Sequence, residues 1–89
     1  MTAVVVTANS FGEPISHAFL VKLVRADLRV NDRGYEVEFF RHGRKVATVF
    51  ESSAEDSWVC FMESEGRLVR VQSRDDGIRR VLGMPAVNA

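Results

Sequence analysis

The chain has one cysteine, Cys60, and two prolines in its 89 residues. A single cysteine forms no intramolecular disulfide and cannot assemble a cysteine-based metal site or an iron–sulfur cluster. Flanked by Val59 and Phe61, Cys60 reads as a small buried hydrophobe, with no neighbour that would activate its thiol. An excess of charge of either sign is also missing. Twelve Lys and Arg balance twelve Asp and Glu, so the molecule as a whole does not attract nucleic acid or anionic lipid. Histidine is confined to His17 and His42, which form neither an H-x-x-x-H pair nor an H-E-x-x-H motif. Gly12, Gly34, Gly43, Gly66, Gly77 and Gly83 occur singly, so no phosphate-cradling loop or dinucleotide fingerprint exists. The serines sit at turns and caps, and none lies in a G-x-S-x-G elbow. These absences lead to the expectation of a protein that is no enzyme and holds no cofactor or metal. Apolar runs are short as well. None approaches the ~20 residues that cross a bilayer, and Ala3 to Val6, with no basic stretch before it, is too short for a secretory leader. The expected location is the cytoplasm, without membrane contact.

What is present is ordinary for a globular chain: 46% apolar and 27% charged residues. The length suits one domain over 1–89, with 84–89 expected as a flexible tail. Charge is segregated nonetheless. Lys22 to Lys45 and Arg67 to Arg80 are each basic on balance, whereas Glu51 to Glu65 holds five acidic residues and no basic one.

Ala3 to Thr7 is a β-branched run that predicts a strand. Pro14 then opens a segment in which Ile15, Phe19 and Leu23 recur every four residues, predicting an amphipathic helix from about Pro14 to Leu28. Lys22, Arg25 and Arg29 would share one face of it. A competing reading places Leu28 to Val30 in a strand. After the turn residues Asn31 to Gly34, Tyr35, Val37 and Phe39 alternate with Glu36, Glu38 and Phe40, as on a half-buried strand. Arg41 to Arg44 forms a tight loop and Val46 to Phe50 returns, giving a β-hairpin.

Residues 54–64 fit two patterns. Ser53 precedes Asp56 by three, the spacing of a capping box, with Glu55 and Asp56 in the first turn. Trp58, Phe61 and Met62 follow at helical spacing, and Gly66 is a natural stop. The rival is a hairpin pairing Trp58–Met62 with Leu68–Val71. The start and stop signals favour the helix, whereas Trp-Val-Cys-Phe favours strand. Leu68 to Gln72 is a strand in either version. Ser73 and Asp76 repeat the capping spacing, and Ile78, Val81 and Leu82 predict a short closing helix ending at Gly83. Gly77 is a weak point in it, costing about 1 kcal/mol relative to alanine.

With the helical version, the order is β-α-β-β-α-β plus a short C-terminal helix. This is the ferredoxin-like two-layer α+β sandwich, with one sheet face left uncovered. With the hairpin version, the chain becomes a mostly antiparallel β meander with one helix. Glu36 and Glu38 place carboxylates on one sheet face, so the uncovered face is expected to be partly polar. The stretch from Val46 to Ser57, together with the helical order, resembles RNA-recognition motifs. That resemblance would imply binding of single-stranded RNA on the sheet. The family stacks bases on aromatics of its central strands, however, and this chain carries valine and alanine at those positions.

Three functions follow as expectations. The first is a non-catalytic protein–protein interaction module: a homodimer, or an accessory or inhibitory subunit of a larger partner, of phage or bacterial regulatory kind. Its interface residues would be Phe40, Trp58, Glu55 and Asp56, because aromatics anchor interfaces and opposite charges dock. The second is nucleic-acid binding through the loop cations Arg41, Arg44 and Lys45 together with Lys22, Arg25 and Arg29, each a candidate phosphate contact. The third is a small ligand-binding or enzyme subunit of the dimeric ferredoxin-like kind, for which only His17 and Glu13 could be nominated.

Overall fold

A computed structural model describes residues 14–54 and 56–85. The predicted strand Ala3–Thr7, the residues Glu13 and Glu55, and the tail positions 86–89 lie outside the described residues. The chain forms α1 (His17–Arg25), then five strands, β1 (Arg29–Asp32), β2 (Glu36–Arg41), β3 (Arg44–Ser52), β4 (Ser57–Met62) and β5 (Arg67–Val71), and finally α2 (Arg74–Leu82). The strands make one antiparallel sheet in chain order, β1-β2-β3-β4-β5. The ferredoxin-like order is therefore replaced by a five-stranded meander with a helix at each end of the strand run.

The meander arises because residues 57–71 pair as a hairpin instead of forming a helix. Trp58 lies opposite Glu51 and Val71, and Cys60 lies opposite Val49 and Val69. The bulky residues of β4 gain a ladder on both sides there, between β3 and β5. Gly66, read as a helix stop, is the left-handed residue of the β4–β5 turn (φ 67°). The S-x-x-D spacing at Ser53 falls between β3 and β4, with Asp56 left-handed (φ 51°), and caps no helix among the described residues. The same spacing at Ser73 is a real cap: Ser73 Oγ accepts from the Asp76 N–H at 3.2 Å.

Helix α1 is shorter than the periodicity predicts. Ser16 Oγ caps its start by accepting from the Phe19 N–H. At its end the Leu28 N–H donates to the Leu23 carbonyl and the Asp27 N–H to the Val24 carbonyl. This is a Schellman closure, with Asp27 at φ 61° where glycine is usual. Leu28 thus follows the helix and locks onto Leu23, and Arg29 begins a strand. The competing strand reading of Leu28–Val30 holds from Arg29 onward. Helix α2 closes the same way, with Gly83 at φ 77° and the Met84 N–H donating to the Arg79 carbonyl.

Both helices cover one face of the sheet. Val30, Val37, Phe39, Ala47, Val49 and Cys60 point into it and form one cluster with Ile15, Phe19, Leu23, Leu28 and Ile78. Trp58, Met62, Val71, Val81 and Leu82 pack around that cluster. Gly77 is required here. A Cβ at this position would stand 2.5 Å from Val49 Cγ1, so the loss in helix propensity permits close contact between α2 and β3. Asp32, fully buried at the end of β1, accepts from the Gly34 N–H at 2.9 Å. Its second oxygen lies 3.8 Å from the Arg74 guanidinium at the start of α2. Among the described residues, no helix is long and apolar enough to cross a membrane.

Candidate functional site

The other face of the sheet carries no helix among the described elements, and its residues follow from the ladder register. One cross-strand row reads Glu36, Phe50, Val59, Arg70. The next reads Asn31, Glu38, Thr48, Phe61, Leu68. A third holds Arg29, Phe40 and Lys45, beside the bulge that lets Val46 slip out of register. This face divides into two halves. Toward β1 and β2 it is polar: Glu38 accepts from Asn31 Nδ2 at 3.0 Å and from Lys45 Nζ at 3.2 Å. Burial pulls the Glu38 carboxyl upward, but those two hydrogen bonds and the charges of Lys45 and Arg33 hold it below its ordinary value. Toward β3, β4 and β5 it is apolar, with Phe50, Val59, Phe61 and the 58% exposed Leu68. Val59 is buried yet stands apart from the helix-side cluster. The expected carboxylates are present, therefore, but they occupy only one half of the face.

The four expected interface residues do not form one patch. Phe40 is half-buried on the open face, near the β2–β3 turn. Trp58 points to the opposite face and packs against the helix-side core. Asp56 is exposed in the β3–β4 turn, at the other end of the sheet. A cavity of about 490 Å³ borders that turn, lined by Glu51, Asp56, Ser53, Trp58 and Gln72 among others. Of the apolar residues on this face, Phe61 falls within 54–64, where the helical pattern hides its strand, while Phe50 and Leu68 fall on predicted strands whose neighbour across the sheet is β4. The turn glycine Gly66 between two β-rich runs was the available signal.

The basic residues do converge, though not as one helix face. Arg29 leaves α1 and sits on the open face of β1, opposite Phe40. Lys22 and Arg25 are in the last turn of α1. The β2–β3 turn reaches the same end of the molecule, where Arg41 Nη2 donates to the Ala26 carbonyl at 3.1 Å and His42 Nε2 lies 3.2 Å from Asp27. Lys45 is held by Glu38, while Arg44 is exposed. Two of the three loop cations are thus engaged by the chain itself.

Reactive groups stay apart. His17 is exposed at the first turn of α1. Cys60 is fully buried, and burial pushes its thiol up to about 11. Among the described residues, no group of three His, Cys, Asp or Glu could hold a metal ion. No protein-family model, curated protein or solved structure matches the chain.

Proposed function

We propose that this chain is a non-catalytic protein-binding module whose open sheet face is the binding surface. The observation that supports it most is the apolar half of that face, where Phe50, Phe61 and Leu68 lie on adjacent strands with no described helix over them. Aromatic and aliphatic anchors inside a polar border are the usual composition of an interface core and its rim. Addition of a strand at the sheet edges fits less well, because β1 has four residues and β5 carries Arg67 and Arg70. The test is capture by the tagged protein after nuclease treatment, compared with Leu68→Asp. A bound protein, or a second copy, retained by the wild type and lost with Leu68→Asp supports the module. Equal capture by both proteins rejects the face.

A second reading is supported by the grouping of Lys22, Arg25, Arg29, Arg41, Arg44 and Lys45 at one end of the molecule. It is a phosphate-contacting surface for nucleic acid. Binding of a duplex or single strand that weakens steeply with salt would support it, and absence of binding at low salt would remove it.

A further inference from the structure

The basic end of the molecule has an aromatic ring set into it. On the open face Phe40 stands between Arg29 of β1 and Lys45 of β3 in one cross-strand row. The ladder is irregular between Phe39 and Phe40, and a bulge at such a place re-aims a side chain. Phe39 goes to the core, whereas Phe40 is left half-buried between two exposed cations. Arg44 begins β3 beside this row, and Lys22 and Arg25 lie at the same end of the molecule on the last turn of α1. The bond from Arg41 to the Ala26 carbonyl ties the β2–β3 turn to that helix end. Lys22, Arg25, Arg29 and Arg44 are exposed and have no carboxylate partner among the described residues. Glu38 and Asp27, which lie among these cations, are held by Lys45 and His42. Glu63, whose N–H donates to the Val46 carbonyl, ends the basic run beyond β3. Cations with no carboxylate to neutralise them suit phosphates, and a ring beside them suits the face of a base. In a duplex the bases are stacked on one another, so only a single strand offers such a face to Phe40. Resting on the phosphate-contacting reading above, we propose that this surface takes a single-stranded nucleic acid, with a base stacked on Phe40 and the backbone along Arg29, Arg44 and the cations of α1.

Stacking and phosphate contact leave different marks on a salt titration. Removing a cation lowers the salt dependence of binding, by about 0.7 in the logarithmic slope for a single strand, whereas removing a ring lowers affinity alone. Fluorescence anisotropy with labelled oligothymidine, oligouridine and a duplex of the same length therefore separates the two contributions. The proteins compared are the wild type, Phe40→Leu, Phe40→Tyr and Arg29→Gln, with circular dichroism checking that each folds. The expected result is tighter binding of a single strand than of the duplex, and a roughly tenfold loss in Phe40→Leu with the slope unchanged. Phe40→Tyr, which keeps the ring, should bind as the wild type does, and Arg29→Gln should weaken binding and flatten the slope. Either oligonucleotide behaving in this way supports the proposal, and the tighter of the two names the sugar. Binding that is indifferent to Phe40→Leu, or equal for duplex and single strand, overturns it. If Arg29→Gln still flattens the slope in that case, the phosphate-contacting surface survives and only its occupant changes. Absence of binding to all three at low salt removes both.

Discussion

The two faces of this sheet are made of alternate residues on the same strands, yet they are built to different rules. On the closed face Val37, Phe39, Ala47, Val49 and Cys60 are fully buried, and even a methyl group at Gly77 has no room. On the open face Thr48 and Val59 are buried too, while Phe40, Phe50 and Phe61 are half-buried and Leu68 is exposed. This face gathers most of its apolar residues on β3, β4 and β5 and places its charges at the two flanks. A face that served only solubility would spread polar residues across all five strands. On the binding-module reading proposed above, stability belongs to one side and recognition to the other, and substitutions should separate the two.

The largest expected contrast is between Phe39→Ala and Leu68→Ala in a denaturant titration. Phe39→Ala should cost about 3–5 kcal/mol, as for other buried phenylalanines. Leu68→Ala, at an exposed site, should stay within roughly 0.5 kcal/mol. Similar losses at the two sites would erase the distinction between the faces.

Gly77→Ala sharpens the comparison from the helix side. Alanine is the better helix former, so a surface site would gain stability, whereas the Val49 contact predicts a loss of about 1–3 kcal/mol from overpacking. A stabilised variant would mean that α2 does not press on β3.

A smaller effect concerns the polar half of the open face. The Glu38 carboxyl is held below its ordinary value, so its contribution is present above the unfolded-state value and is lost as pH falls through the lowered folded one. Glu38→Gln should flatten the acid limb of stability against pH while leaving the neutral and alkaline range nearly parallel to wild type. An unchanged acid limb would show that the bonds from Asn31 and Lys45 do not favour the ionised form.

Much of the closed face could be read in the sequence. The Val37–Phe39 alternation, the 41–44 turn and the Ser73–Gly83 helix all appear where period and capping place them, because local signals and burial agree there. Two places resisted. Leu28 continues the apolar period of α1, but Asp27 takes the left-handed conformation that glycine would have announced, so the helix end was hidden. In β4, Val59 and Cys60 are both buried, one on each face, which removes the alternation that marks a strand. A false capping box at Ser53 then tipped the choice toward helix. The open-face patch depends on β4 and was lost with it. The cations, by contrast, were identified as a group, although Arg29 reaches that end of the molecule from a strand and not from the helix.

The most direct test joins the two faces in a single variant: Leu68→Asp, followed by sedimentation velocity and by thermal unfolding. A protein that keeps the wild-type melting temperature at low concentration but no longer associates with itself or a partner fits a face reserved for binding. Unchanged association would contradict that assignment, and a collapse of the melting temperature in the monomer would show that the open face belongs to the core.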